Sequence, residues 1–223
     1  MATSAETAHP QPGAETTSGA DTPFLTPARL RLFGIGAAVL VVAAAAIWFV
    51  MESGKRKEAF AAQALEQARA TAEQGNMADA VQQFERVVES YGGTGAAYEA
   101  TIGMAQARLV AGQTELAIST LEEFVGRNPP ATYASPAYGL LGTGYENVRR
   151  YGDAVTAYQK AADLATVDYL KAILLLDAGR AARANDQPDA ARSIYERVIA
   201  EYGETAARSE AEVRLAELTA KPA

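Results

Sequence analysis

The chain has 223 residues, a formal net charge of −7, no cysteine and one histidine, His9. The acidic balance argues against nucleic acid, because a phosphate-binding surface needs a basic excess. Without cysteine there is no disulfide, thiolate metal site or Cys nucleophile, and a lone histidine in the N-terminal tail assembles no Ser-His or Cys-His pair. Residues 1–28 form the first segment. Thr, Ser, Ala, Gly and Pro dominate it up to Pro23 without apolar periodicity, so it is expected to stay disordered, having too little apolar surface to offset its ordering entropy.

Thr26-Pro27 then reads as an N-cap followed by proline at the first helical position. From Leu32 to Met51 runs LFGIGAAVLVVAAAAIWFVM, without a charge. Twenty residues at 1.5 Å each span roughly 30 Å, the thickness of a hydrocarbon core. Arg29 and Arg31 precede the run, Glu52, Lys55, Arg56 and Lys57 follow it, and Trp48 and Phe49 stand where an aromatic belt belongs. The run is too long for a signal-peptide core, and no small-x-small site follows it. Residues 29–53 are therefore expected to be one uncleaved transmembrane helix. Gly34 and Ala38 make a weak small-xxx-small pair. Two basic residues before the span and three after it leave the orientation open.

Residues 54–223 are helical in pattern and repeat. Ala80, Ala117, Ala154 and Ala191 stand 37 residues apart. Four residues after them come Phe84, Leu121, Tyr158 and Tyr195, and three beyond those Val87, Phe124, Ala161 and Val198. Twelve residues before them are Ala68, Ala105, Gly142 and Gly179, all small. The pattern predicts helix pairs over 55–73 with 77–90, 95–110 with 114–125, 135–149 with 152–164, and 167–184 with 188–201. Gly75-Asn76, Gly92-Gly93, Gly112, Asn128-Pro129-Pro130, Gly152 and Gly203 read as the breaks, with Thr114 and Asp186 as caps. Residues 206–219 form a polar-faced amphipathic helix, suited to cap the last apolar face.

Tyr138, Leu141, Gly142 and Tyr145, followed by Ala154, Tyr158 and Ala161, carry the signature of a tetratricopeptide (TPR) helix pair. The fold expected is all-α: a TPR-type solenoid of about four 37-residue helix pairs plus a C-terminal capping helix, preceded by one transmembrane helix. Small residues belong where antiparallel helices cross, so Gly142 is expected against Ala154 and Gly179 against Ala191. The resemblance implies that the first helix of each pair lines a concave face where partners dock. Mapped by position, that groove holds Leu65, Arg69, Ile102, Gly103, Gln106, Gly139, Leu140, Thr143, Ile173, Leu176 and Arg180. Arrays that grip a C-terminal carboxylate resemble one another in carrying Lys, Asn and Arg there. These mostly apolar and small residues suit an apolar strand or helix instead. No paired carboxylates, phosphate loop or metal-ligand cluster stands out, so no enzyme activity, cofactor or metal is expected.

The layout of tail, FLTPARLRLFGIGAAVLVV anchor, basic KRK step and small TPR units resembles the bacterial YfgM-like ancillary Sec-translocon subunits. That resemblance implies an inner-membrane, single-pass protein whose repeats lie in the periplasm and contact translocon and chaperone partners. Envelope TPR proteins of outer-membrane assembly share the YG-ending repeats but are usually lipoproteins, and the missing lipobox cysteine argues against that branch. Two functions follow: a membrane-tethered scaffold that receives partner or client polypeptides, or a structural subunit holding a larger membrane complex together. A continuous apolar groove favours the first, and apolar patches outside it favour the second.

Overall fold

The computed structural model describes residues 27–219, with the side chains of 27–32 and of residue 34 outside the description. The tail, the Thr26 cap, the Arg29 and Arg31 flank and the Gly34 pairing therefore lie outside the described residues. Those residues form nine α-helices and no strand. They are α1 (Pro27–Glu73), α2 (Met77–Tyr91), α3 (Gly95–Val110), α4 (Thr114–Gly126), α5 (Ala131–Asn147), α6 (Tyr151–Leu164), α7 (Asp168–Ala184), α8 (Pro188–Glu201) and α9 (Ala207–Thr219). By contacts the chain divides into two units, 1–51 and 52–223.

In the first unit the apolar run is helix. Every described side chain from Phe33 to Met51 is exposed, including Leu40, Trp48 and Phe49. It is long and apolar enough to cross a membrane, by length and composition.

The second unit is a TPR-like array. From α2 onward each helix packs on the next, and α3 packs on α5, α5 on α7, and α7 on α9, while Leu65 and Ala68 of α1 share a buried cluster with Phe84 of α2. All four marker alanines have no exposed surface, as do Ala68 and Ala105. Phe84, Leu121, Tyr158 and Tyr195 are at most 2% exposed. The 37-residue period is thus the period of the core. Two clusters share that core: Leu65, Phe84, Val87 and Met104 belong to one, and Leu121, Tyr145, Tyr158, Leu175 and Tyr195 to the other.

The crossing contact differs from the expected glycine–alanine pair. A Cβ on Gly142 would lie 2.5 Å from Cε1 of Tyr158, and one on Gly179 would strike the Tyr195 ring. The glycines make room for the aromatic one turn after each alanine. Repeats one and two solve the same problem otherwise. Leu121 stands with Ala105 in the core of repeat two. The Phe84 ring of repeat one lies against Gly103 of the next repeat, where a Cβ would come within 2.8 Å.

The turns inside the repeats keep the period as well. Gly75, Gly112, Arg149 and Asp186, each 37 residues apart, have positive φ. The next residue donates its N–H five residues back, as Arg150 does to Tyr145 O (2.8 Å) and Gln187 to Ala182 O (3.0 Å). This closes the orphan carbonyls of the first helix. The breaks expected at Gly152 and at a capping Asp186 are therefore corrected: Gly152 lies inside α6, Asp186 is the left-handed turn residue, and α8 is capped at Gln187. Thr114 is the first residue of α4 rather than its cap. Helix α5 begins at Ala131, four residues before Ser135, so Pro136 falls inside it. The buried Ser135 hydroxyl donates to Ala161 O (2.9 Å), pinning α5 to α6. Helix α1 runs through Gly54, whose flexibility is unused within a continuous ladder. Near its repeat half, Glu58 accepts the N–H groups of Gly95 (3.2 Å) and Ala96 (3.1 Å), and Lys57 donates to Gly92 O (3.0 Å). One of the three basic residues after the apolar run thus holds the α2–α3 turn.

Candidate partner-binding groove

A concavity of the second unit lies among α1, α2, α3 and the start of α5. Its volume is about 680 Å³. Ile102, Gly103, Ala107 and Val110 of α3 face Met77 and Phe84 of α2, Arg69 and Glu73 of α1, and Tyr133 and Pro136 of α5. Of the apolar side chains of α3, Ile102, Ala107 and Val110 line it, whereas Tyr98 and Leu109 pack against the larger cluster. Val110 is 66% exposed. Glu99 and Gln106 supply polar rim atoms.

Four of the eleven expected groove residues meet here: Arg69, Ile102, Gly103 and Gln106. Leu65 and Leu176, 3% and 7% exposed, are core. Leu65 belongs to the cluster of Phe84 and Met104, and Leu176 to that of Tyr158 and Tyr195. Ile102 and Leu140 are half-buried against the larger cluster, and Ile173 is half-buried too. Gly103 and Gly139 give their space to protein side chains, the Phe84 ring and Cδ2 of Leu174. Thr143 is exposed, with its hydroxyl 3.2 Å from that of Tyr158.

Both expected arginines are already engaged. Arg69 donates to Glu66 (2.7 Å) and Glu99. Burial pulls its pKa down, but the hydrogen bonds to Glu66 and Glu99 outweigh this and leave it raised. Arg180 bridges Glu146 of α5 (2.8 Å) and Asp177 of its own helix (2.6 Å). Its hydrogen bond to Glu146 is the foremost cause of a raised pKa. Glu146 also accepts from the Tyr158 hydroxyl (2.7 Å), so Arg180 fastens repeat four to repeat three. Burial pushes the Asp177 carboxyl up against the pull of Arg180. In the second half these ion pairs engage the mapped arginine, and the concavity that gathers the expected residues belongs to the first half.

Sequence mapping missed Met77, Glu73, Val110, Tyr133 and Pro136, because it counted only the middles of the first helices. The groove also takes in helix ends and the start of α2. No group of three or more His, Cys, Asp or Glu positioned to hold a metal occurs among the described residues. The arrangement offers an apolar trough with polar side chains at its rim.

Residues 57–223 match a family model described as YfiO, outer membrane lipoprotein. The chain belongs to this family. The YfiO match begins inside the first repeat and rests on the repeats, so the absent cysteine that argues against the lipoprotein branch does not exclude membership. No curated protein matches the chain. Among solved structures it resembles the nearly identical TPR-like repeats of a putative kinesin light chain from Podosopora anserina, with TM-score 0.59 and 20% identity over 70% of this chain and 83% of that one. MamA from Desulfovibrio magneticus RS-1 matches with TM-score 0.52 and 23% identity over 62% and 73%. TTC0263, a thermophilic TPR protein of Thermus thermophilus, matches with TM-score 0.50 and 21% identity over 71% and 80%. At such identities these likenesses show the fold alone: a TPR-like repeat array, of a kind suited to protein–protein interaction.

Proposed function

We propose that the chain is a membrane-tethered TPR scaffold of the bacterial envelope that receives an apolar segment of a partner or client protein in the groove of its first repeats. The observation that carries this reading is the 680 Å³ trough walled by Ile102, Val110, Met77 and Pro136. Contiguous exposed apolar surface of this kind is the usual mark of an interaction site. The tether is the solvent-exposed apolar run ending at Met51, with residues 29–53 as the anchor. The scaffold sits in the inner membrane by a single pass, its repeats in the periplasm. The YfiO description supports an envelope location, and the YfgM-like layout supports translocon or chaperone components as partners. No catalytic step is assigned to it. Protease added to spheroplasts should digest residues 52–223; protection until lysis would overturn the orientation.

A second reading has its own observation. Val167, Tyr169 and Leu170, 58%, 53% and 43% exposed, stand together at the start of α7, away from the groove residues. Such a patch suits a fixed subunit of a larger complex. Crosslinking from the groove and from this patch separates the two readings.

A further inference from the structure

The groove is electrically uneven, and its unevenness sits at the end of α1. Three charged side chains line it: Arg69, Glu73 and Glu99. Arg69 and Glu99 neutralise one another, with Glu66 holding the same guanidinium. Among the described residues Glu73 has no salt-bridge or hydrogen-bond partner. It is also the last residue of α1, whose final turn holds no basic side chain. The backbone carbonyls of that turn carry the negative end of the helix dipole, so an acid there adds charge of the same sign.

Among the first helices of the repeats, the other acid in a last turn, Glu146 of α5, is held by Arg180 and Tyr158. The residues equivalent to Glu73 are Val110, Asn147 and Ala184, and α3 and α7 carry Arg108 and Arg183 in their last turns. An acid at this helix end is unfavourable for the helix, and among the described residues Glu73 makes no ion pair or side-chain hydrogen bond that would offset it. A local rule broken without structural compensation marks a position that serves a ligand.

We infer that the segment bound in the groove carries a lysine or arginine at the end that lies beside Glu73, next to apolar residues seated on Ile102 and Val110. This rests on the groove reading above and adds the charge of the occupant. The chain's own tail cannot supply that side chain, because residues 1–26 contain no Lys or Arg.

The test uses the full chain in lipid nanodiscs and two ten-residue peptides of alternating leucine and serine, blocked at both ends. One carries a terminal lysine and the other a terminal glutamate in its place. The lysine peptide should bind roughly three- to tenfold more tightly at low salt, as expected for a rim charge pair reinforced by a helix terminus. Glu73→Gln should remove that preference. Glu73→Lys should reverse it while raising the melting temperature, because the new charge suits the helix end. A preference that survives Glu73→Gln would come from the general acidity of the chain and would overturn the inference. Equal binding of both peptides, lost in Val110→Asp, would overturn it while leaving the groove reading intact. No binding, or binding that Val110→Asp does not touch, would overturn both. A dimer in light scattering that Val110→Asp dissociates would make a second copy the occupant and would also overturn the inference.

Discussion

Gly142→Ala is the sharpest probe of how the repeats are held together. The added methyl would sit 2.5 Å from Cε1 and 2.6 Å from Cδ1 and Cζ of Tyr158. Ordinary contact needs nearly 1 Å more. The ring cannot simply swing aside, because it is 2% exposed and its hydroxyl is tied to Glu146 and Thr143. Overpacking of this kind costs about 1–3 kcal/mol. Replacing a helical glycine by alanine returns roughly 0.5–1 kcal/mol. With the 2.5 Å approach placing the cost in the upper half of that range, about 2–3 kcal/mol, the net expected is a loss of about 1–2.5 kcal/mol, or roughly 2–10 °C in melting temperature for a unit of this size. Urea unfolding of residues 52–223, followed by circular dichroism, measures it. Tyr158→Leu in the same background should recover part of the loss, since it recreates the Ala105–Leu121 pair of repeat two. The pair would then show a coupling energy in a double-mutant cycle. Unchanged or increased stability of Gly142→Ala, or strict additivity with Tyr158→Leu, would refute the packing argument.

Two further predictions concern the turns and the ring hydroxyls. Arg149 is exposed at φ 61°, where a non-glycine residue costs on the order of 1 kcal/mol. Arg149→Gly should therefore raise the urea midpoint, and Gly112→Arg at the equivalent turn should lower it. Burial first, and then the hydrogen bond to Glu122, push the Tyr145 hydroxyl from 10 to about 12, against the pull of Arg150, whose guanidinium lies 4.4 Å from the ring centre. Tyr145→Phe should remove a component near pH 12 from the phenolate absorbance titration. The folded state keeps this proton longer than the unfolded state does, so the group's contribution to stability is intact below pH 10 and is lost as pH rises through about 12.

Much of this could be read from the residues because packing sets the period. Ala80, Ala117, Ala154 and Ala191 and the side chains four and seven residues on have to be small or large in a fixed order, and that order survives in sequence. The turn residues followed the same period, but glycine was sought by type. Arg149 and Asp186 hold the left-handed turn without it, and counting 37 from Gly75 and Gly112 would have found them. The groove was less legible. Its first half depends on what neighbouring repeats leave uncovered. Gly103 looks like room for a ligand until the Phe84 ring is seen to fill it. Arg69 and Arg180 look available until their carboxylate partners, 30 and 34 residues away, close on them. Long-range pairing of that kind has no signature in local spacing. The same limit applied to family. The layout around the anchor resembles YfgM-like proteins, whereas the match to YfiO lies in the repeats, residues 57–223.

The central claim, that a partner protein lies in the groove of the first repeats, is tested most directly by site-specific photo-crosslinking in the native membrane. A photoreactive residue is placed singly at Gln106 and Val110 in the groove, and at Tyr169 and Leu170 outside it, with crosslinked products identified by mass spectrometry. The account predicts that Gln106 and Val110 trap the same protein reproducibly and that Val110→Asp abolishes capture from position 106 while helical content is unchanged. Crosslinks confined to Tyr169 and Leu170, with the groove positions silent, would contradict it and favour the fixed-subunit reading.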